Sequence, residues 1–186
     1  IEQYKNRKFK NPKLKRLANT YINIQRNERE AIENQDLVDS IFVREWNKYQ
    51  RKRYELLLDI NSIVGIPVQD KNSLDSILRA GKAIKEFNRV YGILVDTFNP
   101  KNFVVEEVTG VSEKEKRYIG DFENTTGHYI NYIDISIDFY DENDKVYSGF
   151  QFNPRYAWEN GTKKSFEFSI PDSDTRFKYF KVNLGE

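Results

Sequence analysis

The sequence predicts an α+β chain: a helical bundle or hairpin over residues 1–100, led by a basic arm, then an antiparallel β-sandwich over residues 101–186. Two observations predict it. Apolar residues recur at steps of three and four as far as Val95, the period of an amphipathic helix, and from Phe103 onward they recur at every second position, the period of a half-buried strand. The helices also precede the strands instead of alternating with them, which disfavours a parallel α/β sheet.

Pro12 suits a first helical turn, where its missing N–H would have no partner anyway. Leu14, Leu17, Tyr21 and Ile24 then mark one apolar stripe. Gln25–Gln35 is almost wholly polar and predicts either an exposed helical segment or a break between helices. The stripe resumes with Val38, Ile41, Phe42, Trp46 and Tyr49, continues through Leu56, Leu57, Ile60 and Ile63, and stops at Gly65-Ile66-Pro67. A third helix is predicted from Ser73, as N-cap, through Leu74, Ile77, Leu78, Ile84, Phe87, Val90, Tyr91, Leu94 and Val95, closed by Asn99-Pro100. Each helix has one wet face, so the helices are expected to pair.

Strand patterns follow at Phe103–Val108, Tyr118–Phe122, Tyr129–Tyr140, Lys145–Phe152, Lys164–Ile170 and Phe177–Val182. Turn clusters separate them: Asn124–Gly127, Asp141–Asp144, Gly161 and Pro171–Thr175. In the long third pattern Ile133, Ile135, Ile137 and Phe139 share one face, with Asp134, Ser136 and Asp138 on the other.

Apolar residues make up only 38% of the 186, but 15% of the chain is aromatic, so a few large side chains supply a core. The absence of cysteine excludes disulfides, thiolate metal sites and cysteine nucleophiles. No apolar run is long enough to span a membrane. The chain has no Met and starts at Ile1, which predicts a signal or lipidation segment upstream. Its wealth of Lys, Asn, Ile, Tyr and Phe matches proteins of AT-rich bacteria. Residues 1–100 hold 19 Lys and Arg against 13 Asp and Glu, a net +6, whereas residues 101–186 hold 11 against 16, a net −5. The basic excess is concentrated in Lys5, Arg7, Lys8, Lys10, Lys13, Lys15 and Arg16, an arm that fits an anionic membrane surface or a cell-wall polyanion. Nucleic acid is the weaker expectation, because helix faces such as Arg51-Lys52-Arg53 read as solvent-facing.

The β half resembles the FxLYD domain, a small immunoglobulin-like sandwich of bacterial envelope proteins and lipoproteins. The motif falls on Ile137-Asp138-Phe139-Tyr140-Asp141, where Tyr140 and Asp141 match and Ile137 and Phe139 stand in place of Phe and Leu. Gly120-Asp121-Phe122-Glu123-Asn124 is similar to the family's upstream strand, and Asn160-Gly161-Thr162 before Phe166-Glu167-Phe168 is similar to its glycine turn. The resemblance covers residues 102–184 and implies an immunoglobulin-like fold, no catalytic residues and an adhesive or spacing role.

His128 is the only histidine, so a two-histidine metal site is excluded and a triad would hang on one turn residue. Asp141, Asn143 and Asp144 lack the glycine and distal glutamate of a calcium loop and read as turn chemistry. Catalytic residues, cofactors and metals are therefore all expected to be none. Arg155, Tyr156 and Trp158, in a loop between strands, form the candidate partner-binding cluster, since these side chains supply interface hot spots. The expectation is a non-enzymatic, extracytoplasmic, membrane-tethered binding or spacer protein of the bacterial envelope. Its partner would be a protein or cell-wall component, with no small-molecule substrate. The alternative is a cytoplasmic protein- or nucleic-acid-binding module acting through the basic arm and helices.

Overall fold

The computed structural model describes residues 9–34, 40–109, 114–152, 157–171 and 178–184. Three helices come first: α1 (Pro12–Asn34), α2 (Ser40–Val64) and α3 (Lys71–Thr97). A 3-10 turn at Pro100–Asn102 leads to β1 (Val104–Thr109), β2 (Lys114–Glu123), β3 (Ile135–Tyr140), β4 (Val146–Phe152), β5 (Lys163–Pro171) and β6 (Tyr179–Leu184). The chain is α+β, as its periodicities predict.

Local chemistry sets the helix ends. Asn11 caps α1, its Oδ1 accepting from the Lys13 and Leu14 amides at 2.9 and 3.2 Å. The polar stretch from Gln25 does not break the helix, which runs on to Asn34. Gly65, at φ 65°, ends α2 in the left-handed region that glycine tolerates. Asp70, not Ser73, caps α3: its carboxylate accepts from the Ser73 amide at 3.1 Å and from the Ser73 hydroxyl at 2.6 Å. These two bonds hold the Asp70 carboxyl below its ordinary range, the side-chain bond contributing most. At the far end Asn102 Nδ2 donates to the Asp96 and Thr97 carbonyls, covering acceptors that the helix leaves open.

The chain divides into two compact units, Ile1–Asn88 and Arg89–Glu186. The boundary falls inside α3, earlier than the Asn99-Pro100 junction that the sequence suggests. Leu94 and Phe98 explain this, because both are buried in the same cluster as the inward residues of the strands.

In the first unit α1 packs on α2, with Ile22, Ile24 and Leu56 buried. Contacts from α2 to α3 include Lys85 Nζ to Asp59 Oδ1 at 2.5 Å and Asn88 Nδ2 to Glu55 Oε1 at 2.9 Å. Gly81 lies so close to α2 that an added Cβ would sit 2.6 Å from the Tyr54 carbonyl oxygen.

In the second unit the strands form two three-stranded antiparallel sheets, ordered β1-β2-β5 and β4-β3-β6. They share one core. Phe98 meets Phe166 edge-on at 4.9 Å, Phe103 meets Phe122 at 5.1 Å, and Phe180 of one sheet meets Tyr118 of the other at 5.0 Å. The alternation expected on β3 is present, since Ile135, Ile137 and Phe139 are buried and Ser136, Asp138 and Tyr140 half-buried. The strand is shorter than its pattern, however. Ile130 and Ile133 of the preceding stretch still pack on the core, but Tyr129 and Tyr132 are exposed, and among the described residues the stretch pairs through the Ile130–Trp158 bridge.

Candidate functional site

Part of the basic arm can be placed. Lys10, Lys13, Lys15 and Arg16, at the start of α1, are all exposed, whereas Lys5, Arg7 and Lys8 lie outside the described residues. Cations here oppose the positive end of the helix dipole, so α1 gains nothing from them locally.

Of the candidate cluster at the loop before β5, Trp158 alone is described. Trp158 is 1% exposed and belongs to the core, with its indole Nε1 donating to the Thr162 carbonyl at 2.9 Å. A side chain so enclosed presents nothing to a partner. Its amphipathic ring is used internally, with the apolar body against Phe98 and Phe166 and the polar N–H on a turn carbonyl. Arg155 and Tyr156 lie outside the described residues. His128 serves the neighbouring turn with its backbone, its N–H donating to Thr126 Oγ1 at 3.2 Å and its carbonyl accepting from Asn124 Nδ2 at 2.8 Å.

Tyr140 and Asp141 have separate structural duties. Asp141 Oδ1 accepts from the amides of Asn143 and Lys145, both at 2.9 Å, and so closes the β3–β4 turn. Tyr140 faces outward on β4-β3-β6, stacked on Tyr179 with ring centroids 4.9 Å apart. Lys181 Nζ lies 4.6 Å from the Tyr140 centroid, and Asn183 donates to Asp138 beside it. Desolvation, with a hydrogen bond to Asp144, raises the Tyr179 phenol above its ordinary value.

Comparison with protein-family models, curated proteins and solved structures yields no match.

A second site lies between α1 and α2. Ile22, Gln25, Arg26, Glu28, Arg29 and Ile32 of α1, with Trp46 and Arg53 of α2, line a cleft of about 520 Å³. Ile22, Gln25, Arg29 and Ile32 recur at steps of three and four, so they lie along one α1 stripe, and Trp46 and Arg53, seven apart, share a face of α2. The middle of this helix–helix seam is thus polar where apolar residues would ordinarily close it. Glu28 is 4% exposed, with Oε2 accepting from Gln25 Nε2 at 2.8 Å and from the Arg53 guanidinium at 3.4 Å. Its Oε1 is buried with no hydrogen-bond partner. Sequence reasoning passes over the site because it reads Gln25–Gln35 as an exposed helical segment or a break between helices. The available signal was the polar pair Gln25 and Arg29 occupying positions on the stripe begun by Ile22.

Among the described residues no cluster of His, Asp or Glu could hold a metal ion, and no helix is long and apolar enough to cross a membrane.

Proposed function

We propose that this chain is a non-enzymatic, extracytoplasmic binding or spacer protein of a bacterial cell envelope, its β unit an immunoglobulin-like sandwich of the FxLYD kind. The observation that carries this reading is the strand order. The first, second and fifth strands form one sheet, and the fourth, third and sixth form the other, around one core. This order, among the described residues, is compatible with an immunoglobulin-type Greek key, and that compatibility supports the reading. Its interior holds Trp158, Phe98 and the β3 isoleucines, all buried, a packing that suits a module acting through its surface. The exposed cations Lys10, Lys13, Lys15 and Arg16 support association with an anionic membrane or wall, an attraction that salt screens.

Fractionation of source cells expressing the full-length gene, with protease shaving of intact cells, tests the reading. Recovery with membranes or wall and loss on shaving are expected. A cytosolic, protease-protected protein would overturn it and favour the nucleic-acid or protein-binding alternative, which predicts steeply salt-dependent nucleic-acid binding.

A further inference from the structure

We propose that the free edge of β1 takes up an extended segment of a partner protein as an added antiparallel strand, the segment carrying two adjacent basic residues followed by two apolar ones. This goes beyond the envelope reading and does not depend on it, since the edge is the same wherever the protein resides.

The exposure of β1 is the starting point. Among the described residues β1 ends the β1-β2-β5 sheet, so one row of its main-chain N–H and C=O groups has no ladder partner. The strand at the opposite edge, β5, keeps Phe166, Phe168 and Ile170 buried, as a strand with one face on a core should. β1 covers neither face. Val104 and Val105, whose side chains leave opposite faces, are 64% and 50% exposed, and of the six residues Val108 alone is half-buried. Val105 lies opposite Tyr118, and Tyr118 opposite Phe168, both of them buried. A core-facing row of side chains thus starts in the interior and ends open at Val105. An apolar residue on an added strand would continue that row and take Val105 out of water.

Charge selects the occupant. Glu106 and Glu107 are exposed and, among the described residues, have neither a hydrogen bond nor an ion pair. Their side chains leave opposite faces, so two adjacent basic residues on the added strand meet both. Antiparallel pairing then sets the next two residues of the segment against Val105 and Val104, where apolar side chains fit. Residues 101–186 carry a net −5, which favours the approach of a basic partner. A second copy of β1 is a poorer occupant. Antiparallel self-pairing that sets Val105 against Val108 also sets Glu106 against Glu107, like charges directly opposite.

Nitrogen–proton NMR of the full chain, with the hexapeptide acetyl-Thr-Val-Lys-Arg-Val-Val-amide as probe, tests this. Saturating shifts are expected on β1 and its neighbours on β2. Hydrogen exchange is expected to slow at alternate β1 amides, those directed away from β2, which contact through side chains alone would not protect. A peptide with Glu-Glu in place of Lys-Arg is expected to bind at least about tenfold more weakly. N-methylation of alternate peptide amides, which keeps the charge and removes the donors, is expected to cost about tenfold. Glu106→Gln combined with Glu107→Gln is expected to weaken binding about fivefold, and Val104→Lys, at an exposed position, about tenfold or more. Glu142→Gln, in the β3–β4 turn, is expected to leave it unchanged. No saturable shift up to about 5 mM peptide, unslowed exchange on β1, or equal affinity for the N-methylated peptide would each overturn the proposal. Shifts on β1 when the protein alone is concentrated would overturn it in favour of a second copy.

Discussion

Asn124 Nδ2 donates to the Trp158 carbonyl at 2.8 Å, joining the turn after β2 to the segment that leads into β5. The same amide donates to the His128 carbonyl at 2.8 Å, and its Oδ1 accepts from the Thr126 amide and hydroxyl at 3.0 and 2.6 Å. Asn124 therefore uses its two donors and one acceptor oxygen in full, at 1% exposure. Gly127 N–H donating to Asn160 at 2.7 Å and the Arg89 guanidinium donating to the Thr126 carbonyl brace the same junction. Asn124→Ala should destabilise the second unit by about 2–4 kcal/mol, since it strands several buried groups at once. Asn124→Asp should do no better, because a carboxylate cannot donate to two carbonyls. Urea unfolding checks both, and a midpoint unmoved by either change would show that water replaces the amide.

Trp158 separates packing from recognition. Trp158→Ala should cost about 3–5 kcal/mol through the cavity it opens beside Phe98 and Phe166. Trp158→Phe keeps most of the apolar body and loses the Nε1 bond to Thr162, so it should cost about 1–2 kcal/mol. Thermal melts of the two variants give the order. An alanine variant as stable as the parent would mean that the ring is not core after all.

Which features were legible follows from how local their causes are. Helix and strand type came through because periodicity is a local consequence of burying one face, and Ile133 to Phe139 alternate in the structure as they do in the sequence. Asp141 read as turn chemistry for the same reason, its two bonds reaching only Asn143 and Lys145. Trp158 misled because composition alone cannot tell a ring that caps a core from one offered to a partner. The choice was made by Asn124, 34 positions away, which takes its carbonyl, and by Phe98, which packs on its ring. The Glu28 cleft was invisible because its chemistry needs two helices, and Arg53 reaches Glu28 across 25 positions of sequence.

Two glycines on α3 should respond with opposite signs. Gly81 faces α2, and a Cβ there would meet the Tyr54 carbonyl oxygen at 2.6 Å and its carbon at 3.1 Å. These are backbone atoms, so relief requires the helices to part. Gly81→Ala gains about 1 kcal/mol of helix propensity but should lose about 1–3 kcal/mol to overpacking, for a net loss. Gly92 is exposed, with nothing within 4 Å of an added Cβ, so Gly92→Ala should stabilise by up to about 1 kcal/mol. Denaturant midpoints of the two variants should therefore shift in opposite directions. A shift of the same sign would mean that α3 is not seated against Tyr54 as described.

Alkaline pH should weaken the second unit through Tyr118. The ring is buried, stacked on Phe168 with centroids 4.9 Å apart and met edge-on by Phe180 at 5.0 Å. Desolvation raises its phenol above the ordinary 10.0, and the nearby Lys116 charge offsets this only in part. The folded state thus favours the neutral phenol. Its contribution is complete below the unfolded value and is lost as pH rises through the higher folded value. Stability should accordingly fall above about pH 10 more steeply than in Tyr118→Phe, which has no proton to lose. Lysines that titrate in the same range are common to both proteins, so the difference between the two slopes isolates the phenol. Parallel slopes would mean that Tyr118 ionises as readily in the folded state as in the unfolded chain, and that solvent reaches the hydroxyl at the end of its buried ring.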